Sequence, residues 1–155
     1  MSKAEENLKK EGIFLPEENM PAGEYLTFKK VGNLVFVSGQ TCKIEGKLAF
    51  AGRVGQEFTL EQAQEAAKIC AINVLAQVRH ACGGNLDAVK NCVKLTVFVN
   101  AALDYLDHAK VSNGASNVMI AAFGENGRHV RTTIGAGSLP GQSLVEVDGI
   151  FEVEA

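Results

Sequence analysis

The chain has 155 residues, a length that suits one globular domain with its own hydrophobic core. Its hydrophobic content of 46% is ordinary for a globular protein, and its net charge of −3 comes without a cluster of Lys and Arg. Because phosphate binding depends on such clusters, the composition argues against a nucleic-acid-binding protein. The N-terminus lacks the apolar core of a signal peptide and no apolar run reaches membrane-spanning length, so the cytoplasm is the expected compartment.

Neither a Cys-x-x-Cys motif nor a His pair at zinc-finger spacing accompanies the cysteines, which are Cys42, Cys70, Cys82 and Cys92. Cys70 and Cys82 fall in a helical pattern, where a thiol usually packs as a small apolar side chain. The sequence therefore predicts reduced, structural cysteines and no metal site.

Residues 1–24 are expected to form an N-terminal extension, followed by a single domain over residues 25–155. Ala4–Glu11 has the composition of a short charged helix that Gly12 ends, and Glu17–Gly23 has the composition of a loop. No internal repeat or low-complexity linker divides the rest of the chain, so one domain is the simplest organisation.

Two β-prone runs come next, Tyr25–Lys30 and Leu34–Ser38. They are joined around Gly32-Asn33, which is typical of a hairpin turn. Lys47–Phe50 is predicted to add a short edge strand before the loop over residues 51–58.

The clearest helix begins after Thr59, since Thr59-Leu-Glu-Gln62 is a capping box that satisfies the free amides of a first turn. The helix ends at Gly83-Gly84. Apolar and small residues recur at helical spacing through it, at Ala63, Ala66, Ala67, Cys70, Val74, Val78 and Ala81. Many of them are small, so the helix is expected to lie close to its sheet.

Alternation of apolar and polar residues predicts a strand over Val89–Asn100. A second helical region covers Asp104–Phe123, with a break expected near Ser112-Asn113-Gly114. The element order β-β-(β)-α-β-α-β-β predicts an α+β layer with two helices on one face of the sheet. The other face is then either solvated or covered by another chain.

The last two strands are expected to pair as a hairpin across a turn at Pro140-Gly141. In that register Ala136 meets Val145 and Ile134 meets Val147, and paired residues share a face of the sheet. These apolar residues would lie under the helices. The opposite, polar face would carry Arg131, Thr133, Gly135 and Gly137 from one strand and Glu146, Asp148 and Ile150 from the other.

The predicted polar face is either simply solvated or suited to hold a small carboxylate. An Arg guanidinium binds a carboxylate through two parallel hydrogen bonds, and a carboxylate such as Glu146 can take a proton from water. Gly135 and Gly137 indicate close approach by a ligand or another backbone. The register sets Glu146 opposite Gly135, about 13 Å along the strand from Arg131. The two charges would act together through substrate and water between them, or at sites shared between chains.

The same segments resemble the RidA/YjgF family, also called the L-PSP endoribonuclease family. Gly32-Asn-Leu-Val-Phe-Val-Ser-Gly-Gln40 resembles the family's early Gly-Asn…Ser-Gly-Gln strand, and Val93-Lys-Leu-Thr-Val-Phe-Val99 resembles its central strand. Arg131-Thr-Thr and Val145-Glu-Val resemble its Arg-Ser-Cys and terminal Ile-Glu-Ile segments. The resemblance covers most of the chain, from about Tyr25 to Glu154.

This resemblance implies a chorismate-mutase-like α+β subunit, with two helices packed on one face of a mixed β-sheet, in a homotrimer with clefts between subunits. It implies hydrolytic deamination of reactive enamines and imines, such as 2-aminoacrylate, to 2-keto acids and ammonia. It implies no metal and no organic cofactor. The expected partners are a small carboxylate or imino-acid substrate and further copies of the chain, with neither nucleic acid nor membrane.

Carried over position by position, the resemblance gives each site residue a role. Arg131 would clamp the substrate carboxylate, and Glu146 would position or activate the hydrolytic water. The residues that would contact the substrate in the cleft are Tyr25, Ser38, Asn113 and Thr133.

Two departures from the family pattern indicate a divergent branch. Thr133 stands where many members have Cys, and His129 stands where a Pro is usual two residues before the Arg. The leading hypothesis is an imine or enamine deaminase. The second is a non-catalytic trimer that binds small carboxylates or other proteins. The third is the endoribonuclease activity of the family label, against which the net charge of −3 argues.

Overall fold

The computed structural model describes residues 1–155 and contains three α-helices and seven β-strands. The helices are α1 (Lys3–Lys10), α2 (Leu60–Ala81) and α3 (His108–Phe123). The strands are β1 (Phe28–Val31), β2 (Leu34–Thr41), β3 (Lys43–Ile44), β4 (Lys47–Leu48), β5 (Val89–Asn100), β6 (Val130–Ala136) and β7 (Val145–Val153).

Five strands form one mixed sheet in the order β1-β2-β7-β5-β6, while β3 and β4 form a separate two-stranded ribbon. Neighbouring strands are antiparallel except β5 and β6, which run parallel. The bounds of β5 confirm the predicted strand at Val89–Asn100. The strand predicted at Lys47–Phe50 exists as the short β4, but it lies outside the main sheet.

The helices cover one face of the sheet. α2 begins at the predicted capping box, because Thr59 N donates to Gln62 Oε1 at 2.9 Å and Gln62 N donates to Thr59 Oγ1 at 3.3 Å. α1 is tied to α3 by Asn7, whose amide donates to the Ala122 carbonyl at 3.1 Å. The side chains buried between α2, α3 and the sheet include Leu95, Val97, Val99, Val145 and Val147. The predicted α+β class, with helices on one sheet face, is confirmed.

The predicted hairpin between the last two strands is wrong, because β5 lies between β6 and β7. Arg131 stands beside Leu95 in the register of β5 and β6, and Leu95 is buried under the helices. Arg131 therefore lies on the helix-covered face, not opposite it. Ile134, predicted to lie under the helices, is exposed on the far face. The faces predicted for the residues of β7 are correct, since Val147 is buried on the helix side.

The chain does turn at Pro140-Gly141, but the turn leads β7 away from β6. Leu144 N donates to the Phe50 carbonyl at 3.2 Å, and Asn100 N donates to the Leu144 carbonyl at 2.9 Å. These bonds anchor the start of β7 beside the end of β5, so β7 enters the middle of the sheet. Alternation of apolar and polar residues identifies a strand but does not say which strand will pair with it.

α3 runs without a break through Ser112-Asn113-Gly114, contrary to the prediction. A Cβ on Gly114 would overlap the Gln64 carbonyl of α2, so only glycine permits this close contact between the two helices. Gly114 therefore marks helix packing and not the end of a helix.

The face of the sheet turned away from the helices exposes apolar side chains. Phe36, Val130 and Ile134 are 41%, 65% and 48% exposed. We call these three residues the apolar far face. None of the helices combines the length and the hydropathy that a membrane span requires.

Candidate functional site

Arg131, on the edge strand β6, is held by the face of α3 that lies over it. Its Nη1 donates to Asn113 Oδ1 and to Ser116 Oγ, both at 2.9 Å, and its Nη2 donates to the Ala109 carbonyl at 3.2 Å. Two N–H groups remain without a protein acceptor, one on Nε and one on Nη2. Nε and Nη2 form one edge of the guanidinium, which is a geometry that binds a carboxylate through two bonds.

The positive charge of Arg131 has no acidic partner in the chain. Its three acceptors are neutral, and none of the ion pairs includes it. Partial burial lowers the pKa of Arg131, but an arginine remains protonated at physiological pH. A partly buried cation with only neutral acceptors is well suited to bind an anion.

α3 continues along β6 beyond Arg131. Thr133 Oγ1 donates to Ser112 Oγ at 2.9 Å, and Ser112 Oγ donates to the Ala109 carbonyl at 2.8 Å. A Cβ on Gly135 would lie 2.8 Å from His108 Nε2, so the close approach at Gly135 is made by a side chain of α3 and not, as predicted, by a ligand or another backbone. We call the following group the arginine cluster: Arg131, Thr133, Ser112, Asn113 and Ser116.

His129 contacts the arginine cluster through Ser116. Its Nδ1 lies 2.7 Å from the Gly127 carbonyl, and its Nε2 lies 2.8 Å from Ser116 Oγ. Because a carbonyl oxygen only accepts, Nδ1 carries a proton. Burial lowers the pKa of His129 and the charge of Arg131 lowers it further, whereas the bond to Gly127 raises it.

Glu146 lies on the far face of the sheet, over a β-bulge in β2. The register between β2 and β7 shifts between Val37 and Gln40, and a Cβ on Gly39 would overlap the Glu146 carboxylate. Glycine at the bulge therefore makes room for this side chain. Burial raises the pKa of Glu146, and the neighbouring Asp148 carboxylate raises it further.

Glu146 and Tyr25 line one cavity of about 220 Å³. The Tyr25 hydroxyl accepts from the Ala22 N–H at 3.3 Å. Ser38 lies in the bulge but does not line the cavity. Its hydroxyl donates to the Thr27 carbonyl at 3.1 Å. We call the cavity the glutamate pocket, lined among others by Tyr25, Gly39, Thr41, Leu48 and Glu146.

Within one chain the arginine cluster and the glutamate pocket do not meet. β5 separates β6 from β7, so Arg131 and Glu146 are about two strand spacings apart across the sheet, or about 10 Å. Arg131 stands beside Leu95 and Glu146 beside Phe98, so they are also about 10 Å apart along the strands, and they lie on opposite faces. The prediction that they share one face is therefore wrong. Of the predicted site residues, Asn113 and Thr133 lie with Arg131, while Tyr25 and Ser38 lie on the side of Glu146.

Of the partners of Arg131 on α3, Asn113 is among the residues singled out from the sequence, whereas Ala109 and Ser116 are not. Ala109, Ser112, Asn113 and Ser116 are spaced so that they share one face of a helix, which is a detectable pattern. The expected break near Gly114 conceals this pattern, because it would place Ser116 in a different helix from Ala109.

No group of three or more His, Cys, Asp or Glu side chains is placed to ligate a metal ion. The cysteines are free, and two of them lie in the core near the start of β7. Cys42 Sγ lies 3.2 Å from Ser143 Oγ, and Cys70 Sγ donates to the Val145 carbonyl at 3.3 Å. Their contacts are those of packed core side chains.

The chain matches the protein-family model described as "YjgF/chorismate_mutase-like, putative endoribonuclease" over residues 5–153. It is 39% identical over 148 residues to Protein TCP17 of Trypanosoma cruzi, with 95% of this chain and 92% of that protein covered. Among solved structures it is similar to Atu1372 of Agrobacterium tumefaciens, a protein of unknown function, at 40% identity and a TM-score of 0.92, with 99% and 94% of the two chains covered.

A second solved structure, described as a "putative endoribonuclease" from Shewanella oneidensis MR-1, is 31% identical with a TM-score of 0.94, and 98% and 100% of the two chains are covered. The matched residues 5–153 run from α1 to the end of β7, so they include both the arginine cluster and the glutamate pocket. The chain therefore belongs to the YjgF/RidA family and has its chorismate-mutase-like fold.

Proposed function

We propose that this protein hydrolyses reactive enamines and imines, such as 2-aminoacrylate, to 2-keto acids and ammonia, at a site assembled from two copies of the chain. The observation that carries the proposal is the uncompensated charge of Arg131, whose Nε–Nη2 edge keeps two N–H groups without an acceptor in the chain. That edge matches the carboxylate that such substrates have in common. The reaction itself is the one that the family resemblance implies.

In the proposed reaction 2-aminoacrylate tautomerises to the imine, and water adds to the carbon of the C=N bond. Glu146 takes one proton from the water as the C–O bond forms and passes it to the nitrogen. The second proton of the water follows when the C–N bond breaks, so that ammonia leaves and the ketone forms. Burial and Asp148 raise the pKa of Glu146, which makes the carboxylate a better base for this transfer.

The proposed site needs a second copy because Arg131 and Glu146 lie on opposite faces of the sheet. The apolar far face, formed by Phe36, Val130 and Ile134, is a surface that another copy would cover favourably. Most soluble oligomers are closed and symmetric, and the family resemblance implies a trimer. In such a ring each chain would give its arginine cluster to one site and its glutamate pocket to another.

The test is keto-acid release from 2-aminoacrylate, which a PLP-dependent dehydratase generates in the cuvette. The wild-type protein should accelerate release beyond the spontaneous rate, and Arg131→Ala should lose the acceleration. Arg128→Ala is the matched control, because Arg128 is an exposed cation that pairs with Glu125 at 3.1 Å. No acceleration by the wild-type protein, or full activity in Arg131→Ala, would refute the proposal.

One observation favours a second function, the binding of small carboxylates without turnover. The hydroxyls of Thr133 and Ser38 donate to Ser112 and to the Thr27 carbonyl, so neither is free to donate to a reacting group. Binding of 2-ketobutyrate that Arg131→Ala abolishes, together with no turnover of 2-aminoacrylate, would support this alternative.

Endoribonuclease activity appears in the description of the family and in that of one relative. The net charge of −3 gives the protein no general attraction for RNA. RNA cleavage that depends on salt and that Arg131→Ala abolishes would overturn this judgement.

A further inference from the structure

We propose that His129 is a positioning residue for Arg131: it orients the Ser116 hydroxyl that accepts from Arg131, and in its protonated form it strengthens carboxylate binding at Arg131. The inference rests on the proposed function only in taking Arg131 as the group that binds the carboxylate. Both nitrogens of the His129 imidazole lie within hydrogen-bond distance of a partner, Nδ1 of the Gly127 carbonyl and Nε2 of Ser116 Oγ.

The hydrogen bonds around Ser116 run in one direction when His129 is neutral. Nδ1–H donates to the Gly127 carbonyl at 2.7 Å, which leaves Nε2 as an acceptor for the Ser116 hydroxyl at 2.8 Å. Ser116 Oγ in turn accepts from Arg131 Nη1 at 2.9 Å. The imidazole therefore fixes the hydroxyl hydrogen of Ser116 so that the oxygen lone pair points at Arg131.

Protonation of His129 keeps the hydrogen bond between His129 and Ser116 but gives the imidazole a positive charge. Nε2–H then donates to Ser116 Oγ, and a hydroxyl oxygen with two lone pairs can accept from His129 and Arg131 together. A second positive charge now lies two hydrogen bonds from the guanidinium, and in the empty site the two cations repel. A bound carboxylate offsets that repulsion, so binding at Arg131 favours uptake of a proton by His129.

The surroundings of His129 contain few other charges. α3 presents the Ser116 hydroxyl to the ring, and the turn before β6 presents the Gly127 carbonyl. Arg131 is the charged group whose field acts on the imidazole. The nearby surface ions are paired with each other, Arg128 with Glu125 and Lys110 with Asp107. On β5, Lys94 stands beside Val130, on the far face of the sheet, where it acts on Asp148.

The first test is calorimetric titration with 2-ketobutyrate at constant ionic strength, from about pH 8 to about pH 5.5, a range in which histidine titrates. The affinity of the wild-type protein should rise about three- to tenfold as the pH falls. His129→Gln retains an acceptor for Ser116 but does not titrate, so it should bind like the wild type at high pH and gain less at low pH. Glu146 is present in both proteins, and the difference between the two profiles therefore isolates His129. Identical profiles would overturn the inference.

His129→Ala tests the positioning role separately. Alanine has no acceptor for the Ser116 hydroxyl, so binding should weaken even at high pH, where the charge of His129 plays no part. Recovery of the wild-type affinity in His129→Gln distinguishes loss of this acceptor from general damage to β6. Equal affinities in His129→Ala and the wild type at high pH would refute the positioning role.

A ligand-free measurement separates this inference from the proposed function. In NMR titrations, Arg131→Ala should raise the pKa of His129, because it removes a positive charge, whereas Arg128→Ala should leave it unchanged. If Arg131→Ala shows this rise but the wild-type protein binds no 2-ketobutyrate, the proposed function is refuted and the coupling of His129 to Arg131 stands. An unchanged His129 pKa in Arg131→Ala overturns the coupling, whatever the ligand does.

Discussion

Arg131 is held in place by the fold without being neutralised by it. Its bonds to Asn113, Ser116 and the Ala109 carbonyl use neutral acceptors, so the guanidinium keeps its full charge and two N–H groups, on Nε and Nη2, without an acceptor. A lysine at this position would keep the charge but would lack the planar pair of donors. The shape of the guanidinium, as well as its charge, is therefore expected to determine binding.

Arg131→Lys should weaken 2-ketobutyrate binding about ten- to hundredfold, because it loses a hydrogen bond to a charged group, which is worth about 1.5–3 kcal/mol. Calorimetric titration measures the change, and Arg128→Lys serves as the control on an exposed cation. Wild-type affinity in Arg131→Lys would show that charge alone is sufficient.

Arg131 can be singled out from the sequence, because it is the only Lys or Arg in the last β-prone stretch, residues 130–155. Ser112 and Ser116 share a helix face with Asn113, but the sequence does not say that this face lies over Arg131, because that depends on the tertiary packing of α3 on β6. For Glu146 the sequence predicts the correct face of the sheet, because Glu146 alternates with the apolar Val145 and Val147.

A single irregularity in β2 gives the glutamate pocket its shape. The bulge at Ser38 and Gly39 shifts the register to β7, and the missing side chain of Gly39 leaves space for Glu146. An added methyl group would displace the end of a flexible side chain and not the backbone. The strand should therefore tolerate the change while the carboxylate moves.

Gly39→Ala should lower turnover of 2-aminoacrylate at least about tenfold, because a positioned general base contributes about 10²- to 10⁴-fold and a displaced Glu146 would lose part of this. Binding of 2-ketobutyrate and thermal stability should change much less. Gly137→Ala is a matched control, since no atom lies within 4 Å of the Cβ that it adds. Unchanged turnover in Gly39→Ala would contradict the role given to Glu146.

Gly114→Ala should destabilise the protein by about 1–3 kcal/mol, the usual cost of overpacking, because the new methyl group overlaps the Gln64 carbonyl of α2. The sign of the change in unfolding free energy distinguishes overpacking from helix propensity, because replacing Gly by Ala in an isolated helix stabilises the helix by about 1 kcal/mol. Urea denaturation measures the difference, with the exposed Asn117→Ala as the control on α3. Increased stability would show that α2 and α3 can separate freely.

The elements that could be predicted from the sequence are those whose signals are local. The capping box at Thr59 and the alternation in Val89–Asn100 depend on neighbouring residues, and both are confirmed. The hairpin across Pro140-Gly141 is wrong because strand pairing is a long-range choice. β6 and β7 each pair with β5, and nothing in either segment reveals that.

At the scale of the whole molecule, the sheet separates the arginine cluster from the glutamate pocket. The arginine cluster lies on the helix side near one edge, and the glutamate pocket lies on the far face beside β2. If the proposed reaction uses both the arginine cluster and the glutamate pocket, a single chain is not sufficient for catalysis and an assembly of chains is required. Damage to the cluster or to the pocket of one chain can then be compensated by an intact one from a neighbour.

Arg131→Ala and Glu146→Gln should each be inactive alone, while a mixture that is unfolded and refolded together should recover about a quarter of the wild-type activity. This fraction follows from random pairing, since about one interface in four combines an intact cluster with an intact pocket. Keto-acid release from 2-aminoacrylate measures the recovery, and each variant refolded by itself is the control. A mixture as inactive as its components would contradict the shared site.

The three tethers on Arg131 have a consequence for the entropy of binding. A free arginine side chain gives up about 2 kcal/mol of rotamer entropy when a ligand immobilises it. Here folding has already immobilised the guanidinium, so a carboxylate that binds there would meet rigidly held donors and would lose mainly its own freedom. For a ligand with only a few atoms, which can make only a few contacts, this preorganisation can decide whether it is retained at all.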